Sequence, residues 1–208
     1  MHPEAGPAPV GLGHDPDLQH RLGTFVGLVE KWNPSINLVS RDSLPLIWSR
    51  HIEDSLQLLD VLACEPRLWL DMGSGGGFPG AVVAIAARTR GLKTSFVLAE
   101  SDQRKAAFLR TVSRETGAGF EVLASRIEDL APQDADVVSA RALAPLTVLC
   151  GYANRHLSDD GVAIFPKGQN AEREVAEARN VWQFDLTIEP SRTDPNAKLL
   201  VLRGLRRA

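Results

Sequence analysis

The chain has 208 residues, 44% hydrophobic and 24% charged, the composition of a single globular domain with one sizeable core. Lys and Arg number 23 against 26 Asp and Glu, and a formal charge of −3 excludes a protein that coats polyanions without selectivity. Cys64 and Cys150 stand in no CxxC or Cys/His spacing, so no metal site and no disulfide framework is expected, and a reducing, cytoplasmic compartment is. The aliphatic run Ala81 to Ala87 falls far short of the ~20 residues of a membrane span. The opening MHPEAGPAPVGLGHD lacks the basic-then-apolar order of a signal peptide.

Residues 1–14, rich in Pro, Gly and Ala, read as a mobile tail outside the folded domain of residues 15–208. Asp15-Pro16 reads as an N-cap followed by proline at the first helical position, and Leu18, Leu22, Phe25, Val26 and Val29 recur at helical spacing until Asn33-Pro34. A second helix is expected over Ser43 to Leu62, with Leu44, Ile47, Ile52, Leu56 and Leu59 on its buried side. Residues 15–64 thus form a helical cap. From residue 65 on, LWLDMG, TSFVLAE, GFEVLAS, DADVVSA and GVAIFPK are short apolar runs alternating with helical stretches at Pro79 to Arg88, Asp102 to Thr116 and Pro145 to Leu157. That alternation predicts an α/β fold of Rossmann-like class with a mostly parallel sheet. After a short helix at Ala171 to Ala178, WQFDLTIEP and AKLLVLRGL follow with no helix between them, which makes seven strands ending in an antiparallel hairpin.

The sharpest local signal is Asp71-Met72-Gly73-Ser74-Gly75-Gly76-Gly77-Phe78-Pro79-Gly80, where the first strand turns into the helix behind it. Glycines there let the backbone approach a ligand, and the helix N-terminus suits a carboxylate or phosphate. Two cofactors compete. Gly75 to Gly80 matches G-x-G-x-x-G, and Glu100 follows Gly80 by twenty residues, as in a dinucleotide site and hence an NAD-dependent oxidoreductase. Asp71, Gly73, Gly75 and Gly77 give instead the D-x-G-x-G-x-G order of S-adenosylmethionine methyltransferases, in which Glu100 would bind the ribose hydroxyls. Ser125-Arg126-Ile127-Glu128, after the third strand, suits the bracketing of an adenine ring, with Ile127 on its face and Glu128 at its amine, and favours S-adenosylmethionine. A non-catalytic RNA- or nucleotide-binding module on the same fold is a third possibility.

The methyl acceptor is narrowed by absences. No Asn/Asp-Pro-Pro-Tyr/Phe turn, the device for an exocyclic amine, follows the fourth strand, which ends Val137-Val138-Ser139-Ala140-Arg141-Ala142. Neither cysteine adjoins a proline as a cytosine C5 nucleophile would. A guanine N7 lone pair needs neither, because it attacks without first losing a proton and requires positioning and charge management alone. Arg141 would hold the cofactor carboxylate or face the acceptor; its structural alternative is an ion pair to Asp71 or Glu100. Lys167, after the fifth strand, would meet an RNA phosphate or the guanine O6; its alternative is a solvated loop lysine.

Trp32-Asn33 with Asn37-Leu38, Arg50-His51-Ile52-Glu53-Asp54-Ser55-Leu56, Asp71 to Gly80, Ser139-Ala140-Arg141-Ala142 and Lys167-Gly168-Gln169 resemble the glucose-inhibited division protein B (RsmG) family. The resemblance runs from about Asp15 to the C-terminus. It implies methyl transfer from S-adenosylmethionine to N7 of a guanine in 16S ribosomal RNA of the small subunit. Cofactor contacts then fall on Gly73, Phe78, Ile127, Glu128 and Arg141, with Glu100 as the ribose acid, though family members often carry Asp at Glu100's position and Leu or Phe at Phe78's. In the RHI-x-DSL segment, Arg50 with Asp54 and His51 with Ser55 form i, i+4 pairs on a helix. Arg50, His51 and Arg41 are candidates to line the RNA approach, and His51 alternatively a structural junction. A monomer is expected.

Overall fold

The computed structural model describes residues 15–208; the expected mobile tail lies outside the described residues. Helix α1 (Pro16–Ile36) opens as its sequence dictates: the Asp15 carboxylate accepts from Asp17 N–H and Leu18 N–H, two of the donors a first turn leaves unpaired. Its buried stripe runs through Leu18, Leu22, Phe25, Val26 and Val29. The helix continues past the expected end at Asn33-Pro34. Pro34 forgoes a single N–H bond in the last turn, and the stop comes at Asn37, left-handed at φ 54° and donating to Asn33 O. The buried Asn33 Oδ1 then accepts from Leu38 N–H (2.7 Å) and Val39 N–H (2.9 Å) and so fixes the exit of the chain.

The single helix expected over Ser43 to Leu62 is instead a composite. A 3-10 turn (Leu44–Leu46) leads into a π-helical stretch (Trp48–Glu53), then α2 (Asp54–Leu56) and another 3-10 turn (Gln57–Val61). Wider turns shift the phase of the buried face. Ile47, Ile52 and Leu58 are fully buried, whereas Leu56 and Leu59 lie half-buried at its margin.

The sheet comprises β1 (Leu68–Met72), β2 (Ser95–Ala99), β3 (Glu121–Leu123), β4 (Ala135–Ser139), β5 (Leu157–Lys167), β6 (Trp182–Pro190) and β7 (Lys198–Arg207), in the order β3-β2-β1-β4-β5-β7-β6. Strands β1 to β5 pair in parallel, and β7 runs antiparallel to both β5 and β6. The expected hairpin is present, but its second strand sits inside the sheet and its first at the edge. Helices α3 (Gly80–Thr89), α4 (Gln103–Glu115), α5 (Leu146–His156) and α6 (Ala171–Ala178) complete the α/β class expected. Successive residues of β1 feed opposite faces: Trp69 packs with α1, α3 and α4, and Leu70 and Met72 with α5 and α6. Among the described residues no helix is long and apolar enough to cross a membrane.

Candidate active site

The chain runs outward from β1 to β2 and β3 on one side and to β4 and β5 on the other, so a crevice opens at the carboxyl ends of β1 and β4. The glycine turn fills one wall. Gly73 and Gly75 take φ +66° and +55°, conformations that a side chain would strain. Gly73 N–H and Ser74 N–H both donate to Ala99 O, and Gly75 N–H donates to Glu100 Oε2 at 2.7 Å, which folds the turn onto the end of β2. The other oxygen of Glu100 accepts from Asp102 N–H (2.8 Å) at the start of α4.

Asp71 lies beneath this turn with no exposed surface. Trp69 Nε1 donates to Ser139 Oγ (2.9 Å), which donates to Asp71 Oδ1 (2.6 Å), so β1 and β4 are joined by a buried relay. Asp71 Oδ2 has no hydrogen-bond partner among the described residues. Burial pushes the carboxyl up to about 6 despite the hydrogen bonds that favour its charged form. A Cβ at Gly80 would lie 2.5 Å from Asp71 Oδ2, which explains why α3 begins with glycine so close to β1.

Arg141, just past β4, forms the opposite wall. Its guanidinium donates to Asp54 Oδ2 (3.3 Å), to Arg50 O (3.4 Å) and to His51 Nδ1 (2.8 Å), and lies 5.2 Å from the centre of the Phe78 ring. The His51 ring is tilted against the same Phe78 at 4.9 Å. Burial, then Arg141 and Arg50, hold the His51 imidazole down at about 3, so it is neutral; with Nδ1 accepting, its proton sits on Nε2, which is buried without a partner among the described residues. Neither Arg50 with Asp54 nor His51 with Ser55 forms the side-chain pair expected of a regular helix. Asp54 turns to Arg141, and Ser55 Oγ donates to the carbonyl of His51.

After Arg141, Ala142 adopts φ 55°, an uncommon conformation for a non-glycine residue, and Leu143 is brought over Gly73. The loop is held from below: Lys167 Nζ donates to Ala144 O (2.9 Å) and to Glu174 Oε2 (2.7 Å), and that oxygen also accepts from Leu146 N–H (2.8 Å) at the start of α5. Asp54, Arg141, Leu143, Lys167, Arg173 and Glu174 line a cleft of about 560 Å³. On the far side of the glycine turn, Ile127 is buried in a 3-10 turn (Ile127–Asp129) and its carbonyl lies 3.0 Å from Nε2 of the fully buried His156; Glu128 is exposed beside Arg126.

The model of the family described as "GidB: rRNA small subunit methyltransferase G" matches residues 18–198. The ribosomal RNA small subunit methyltransferase G of Cereibacter sphaeroides (strain ATCC 17023) is 52% identical over 189 residues, 91% of this chain and 92% of that one. The chain belongs to the rRNA small subunit methyltransferase G family. The Ruegeria pomeroyi member is 50% identical over 187 residues, 90% of this chain and 91% of its own. Among solved structures, cofactor-bound Rv0187 from MTB superposes with a TM-score of 0.59 at 19% identity over 94% of this chain and 93% of its own. A methyltransferase from Geobacter sulfurreducens gives 0.56 at 18% identity, over 92% and 91%. At that identity the likeness is one of fold.

Membership in the methyltransferase G family decides between the two cofactor readings: the chain is a methyltransferase of small-subunit ribosomal RNA, with S-adenosylmethionine as methyl donor. Within that frame the glycine turn touches Glu100 through Gly75 and Arg141 through Phe78, with Asp71 buried beneath it and Lys167 beside Arg141 on the cleft. Arg141 pairs with neither Asp71 nor Glu100, and Lys167 is no solvated lysine. Arg41 and Arg50 are exposed, on the turn and helical stretch ahead of α2. Sequence reasoning missed Asp54 as the partner of Arg141, Glu174 as that of Lys167, and His156. An acid in the first turn of α6, seven residues after Lys167, was the available signal for Glu174.

Proposed function

We propose that this methyltransferase G family member transfers the methyl group of S-adenosylmethionine to N7 of one guanine in 16S ribosomal RNA, acting as a cytoplasmic monomer. The observation that carries the reading is that the glycine turn contacts both Glu100, through Gly75, and Arg141, through Phe78. These residues fit the cofactor: positive-φ glycines offer bare backbone, Glu100 a nearly buried carboxylate for ribose hydroxyls, and Arg141 a cation for a carboxylate. Gly73 and Gly75 would border its methionine part, Phe78 and Arg141 its charged end, Glu100 its ribose, and Ile127 and Glu128 its adenine; Asp71 supports the turn from below. When bound, S-adenosylmethionine supplies an electrophilic methyl group.

Guanine N7 presents an in-plane lone pair, so no side chain has to remove a proton from it. Cys150 accords with that reading. Cys150 is buried with its thiol pushed up to about 12, and a protonated thiol cannot add to a pyrimidine ring. What the chain supplies is orientation. Lys167, ion-paired to Glu174, fixes the Arg141 loop at Ala144 O, His51 braces Arg141 from the other side, and the exposed Arg41 and Arg50 are the cations offered to the RNA.

The test is mass mapping of modified nucleotides in 16S ribosomal RNA from cells with and without the protein, beside transfer of labelled methyl to small subunits in vitro. Loss of a single 7-methylguanosine is expected on deletion. An unchanged 7-methylguanosine pattern refutes the assignment.

A further inference from the structure

The Arg141 side chain is only 19% exposed, and a guanidinium taken that far out of water needs a counter-charge. His51 Nδ1, the Arg50 carbonyl and the Phe78 ring each constrain its direction, but none carries a negative charge. Asp54 is the carboxylate within ion-pair distance of it among the described residues, and is itself 13% exposed; Asp71 acts on it from further away.

The other oxygen of Asp54 is held from three directions. Oδ1 accepts from Gln57 Nε2 (2.8 Å), Ser191 Oγ (3.2 Å) and Thr193 Oγ1 (3.2 Å). Ser191 and Thr193 belong to the turn between β6 and β7, 137 and 139 residues along the chain. The buried Gln57 reinforces the junction, since its Oε1 accepts from Arg192 N–H (3.1 Å). One carboxylate thus ties the β6–β7 turn to the guanidinium at the crevice mouth.

We propose that Asp54, clamped by Ser191 and Thr193, is a positioning residue for methyl transfer that acts through Arg141. It holds the guanidinium plane against Phe78, so that the bound cofactor meets an already oriented fork of N–H donors. The inference rests on the reading above in which Arg141 contacts the cofactor, and it adds the β6–β7 turn to the machinery of the site.

Steady-state methylation of small ribosomal subunits tests it, with KM for S-adenosylmethionine, kcat and the thermal midpoint read for D54N, D54E, S191A/T193V, R141K and D54N/R141K. D54N is expected to raise KM about tenfold or more, with D54E recovering most of the loss and S191A/T193V moving the same way by less. In the R141K background, D54N is expected to add little, because the group it orients is gone. The proposal is overturned if D54N matches wild type in KM, if D54E is no better than D54N, or if the losses of D54N and R141K multiply. Failure of the wild-type protein to bind S-adenosylmethionine or to methylate would instead remove the reading beneath, and the inference with it.

Discussion

Glu100 and Gly75, 25 residues apart, are joined by a 2.7 Å hydrogen bond in which the glycine N–H donates to the carboxylate. The acid assigned to the ribose is therefore also the clasp of the glycine turn, and its two oxygens face two backbone donors, Gly75 N–H and Asp102 N–H. In Glu100→Gln an amide NH2 must meet one of them. A lost bond and a stranded donor cost about 1–3 kcal/mol. A lower thermal midpoint is expected together with about tenfold weaker binding of S-adenosylmethionine by calorimetry; unchanged affinity would contradict the dual role.

Two glycines of the turn should fail differently. A Cβ at Gly80 lies against Asp71 Oδ2, Cβ and Cγ at 2.5 to 2.7 Å, so Gly80→Ala must part α3 from β1. Overpacking of this kind costs about 1–3 kcal/mol and is read by urea unfolding. At Gly73 the Cβ meets the tip of Leu143, a flexible side chain, and the stability cost reduces to the strain of φ +66°. Gly73→Ala is accordingly expected to stay folded and lose cofactor affinity. The reverse pattern, with Gly80→Ala stable and Gly73→Ala unfolded, would disprove the assignment.

The buried Asp71 and His51 give stability opposite dependences on pH. Asp71 is raised from 3.8 to about 6, so the folded chain holds a proton that the unfolded chain has released; that stabilisation is complete below 3.8 and is lost as pH rises through about 6. The advantage of wild type over Asp71→Asn should shrink by roughly 2–3 kcal/mol from pH 4 to pH 8. His51 is lowered from 6.5 to about 3, so its contribution is present above 6.5 and lost as pH falls toward 3. The advantage of wild type over His51→Gln should widen with pH over the acid range. Denaturant midpoints at four pH values decide both, and parallel curves for wild type and variants would contradict both shifts.

Lys167→Met tests the support of the Arg141 loop. Without the ammonium, Ala144 O and Glu174 lose a shared donor, and Glu174 is left as a mostly buried carboxylate still facing Leu146 N–H. We expect methyl transfer to fall tenfold or more, with Lys167→Arg recovering little because a planar fork does not reproduce the two contacts of a compact ammonium. Wild-type turnover in Lys167→Met would show that the loop needs no such prop.

Elements whose cause is local were legible in the sequence. Asp15-Pro16 marks the start of α1, Ala171 to Ala178 forms α6 as expected, and the glycine turn stands where one strand feeds one helix. The π-helical stretch was not legible, because its wide turns respond to packing of Trp48 and Ile52 in the core rather than to any repeat in the residues. The same holds for Asp54 with Arg141: partners 87 residues apart leave no spacing for a sequence pattern to reveal. The i, i+4 rule pointed Asp54 at Arg50 and was overruled by a buried cation with a greater need of it.

The position of β7 bears on how the protein is made. It is last in chain order yet lies between β5 and β6, so β6 has no neighbour to pair with until residues 198–207 have been synthesised. Strands β1 to β5 can assemble as they emerge, whereas the β6–β7 turn, whose hydroxyls grip Asp54, arrives with the final strand. Closure of the clamp behind Arg141 therefore depends on a strand that follows β6 in the chain, whereas the crevice between β1 and β4 is framed by strands that precede it.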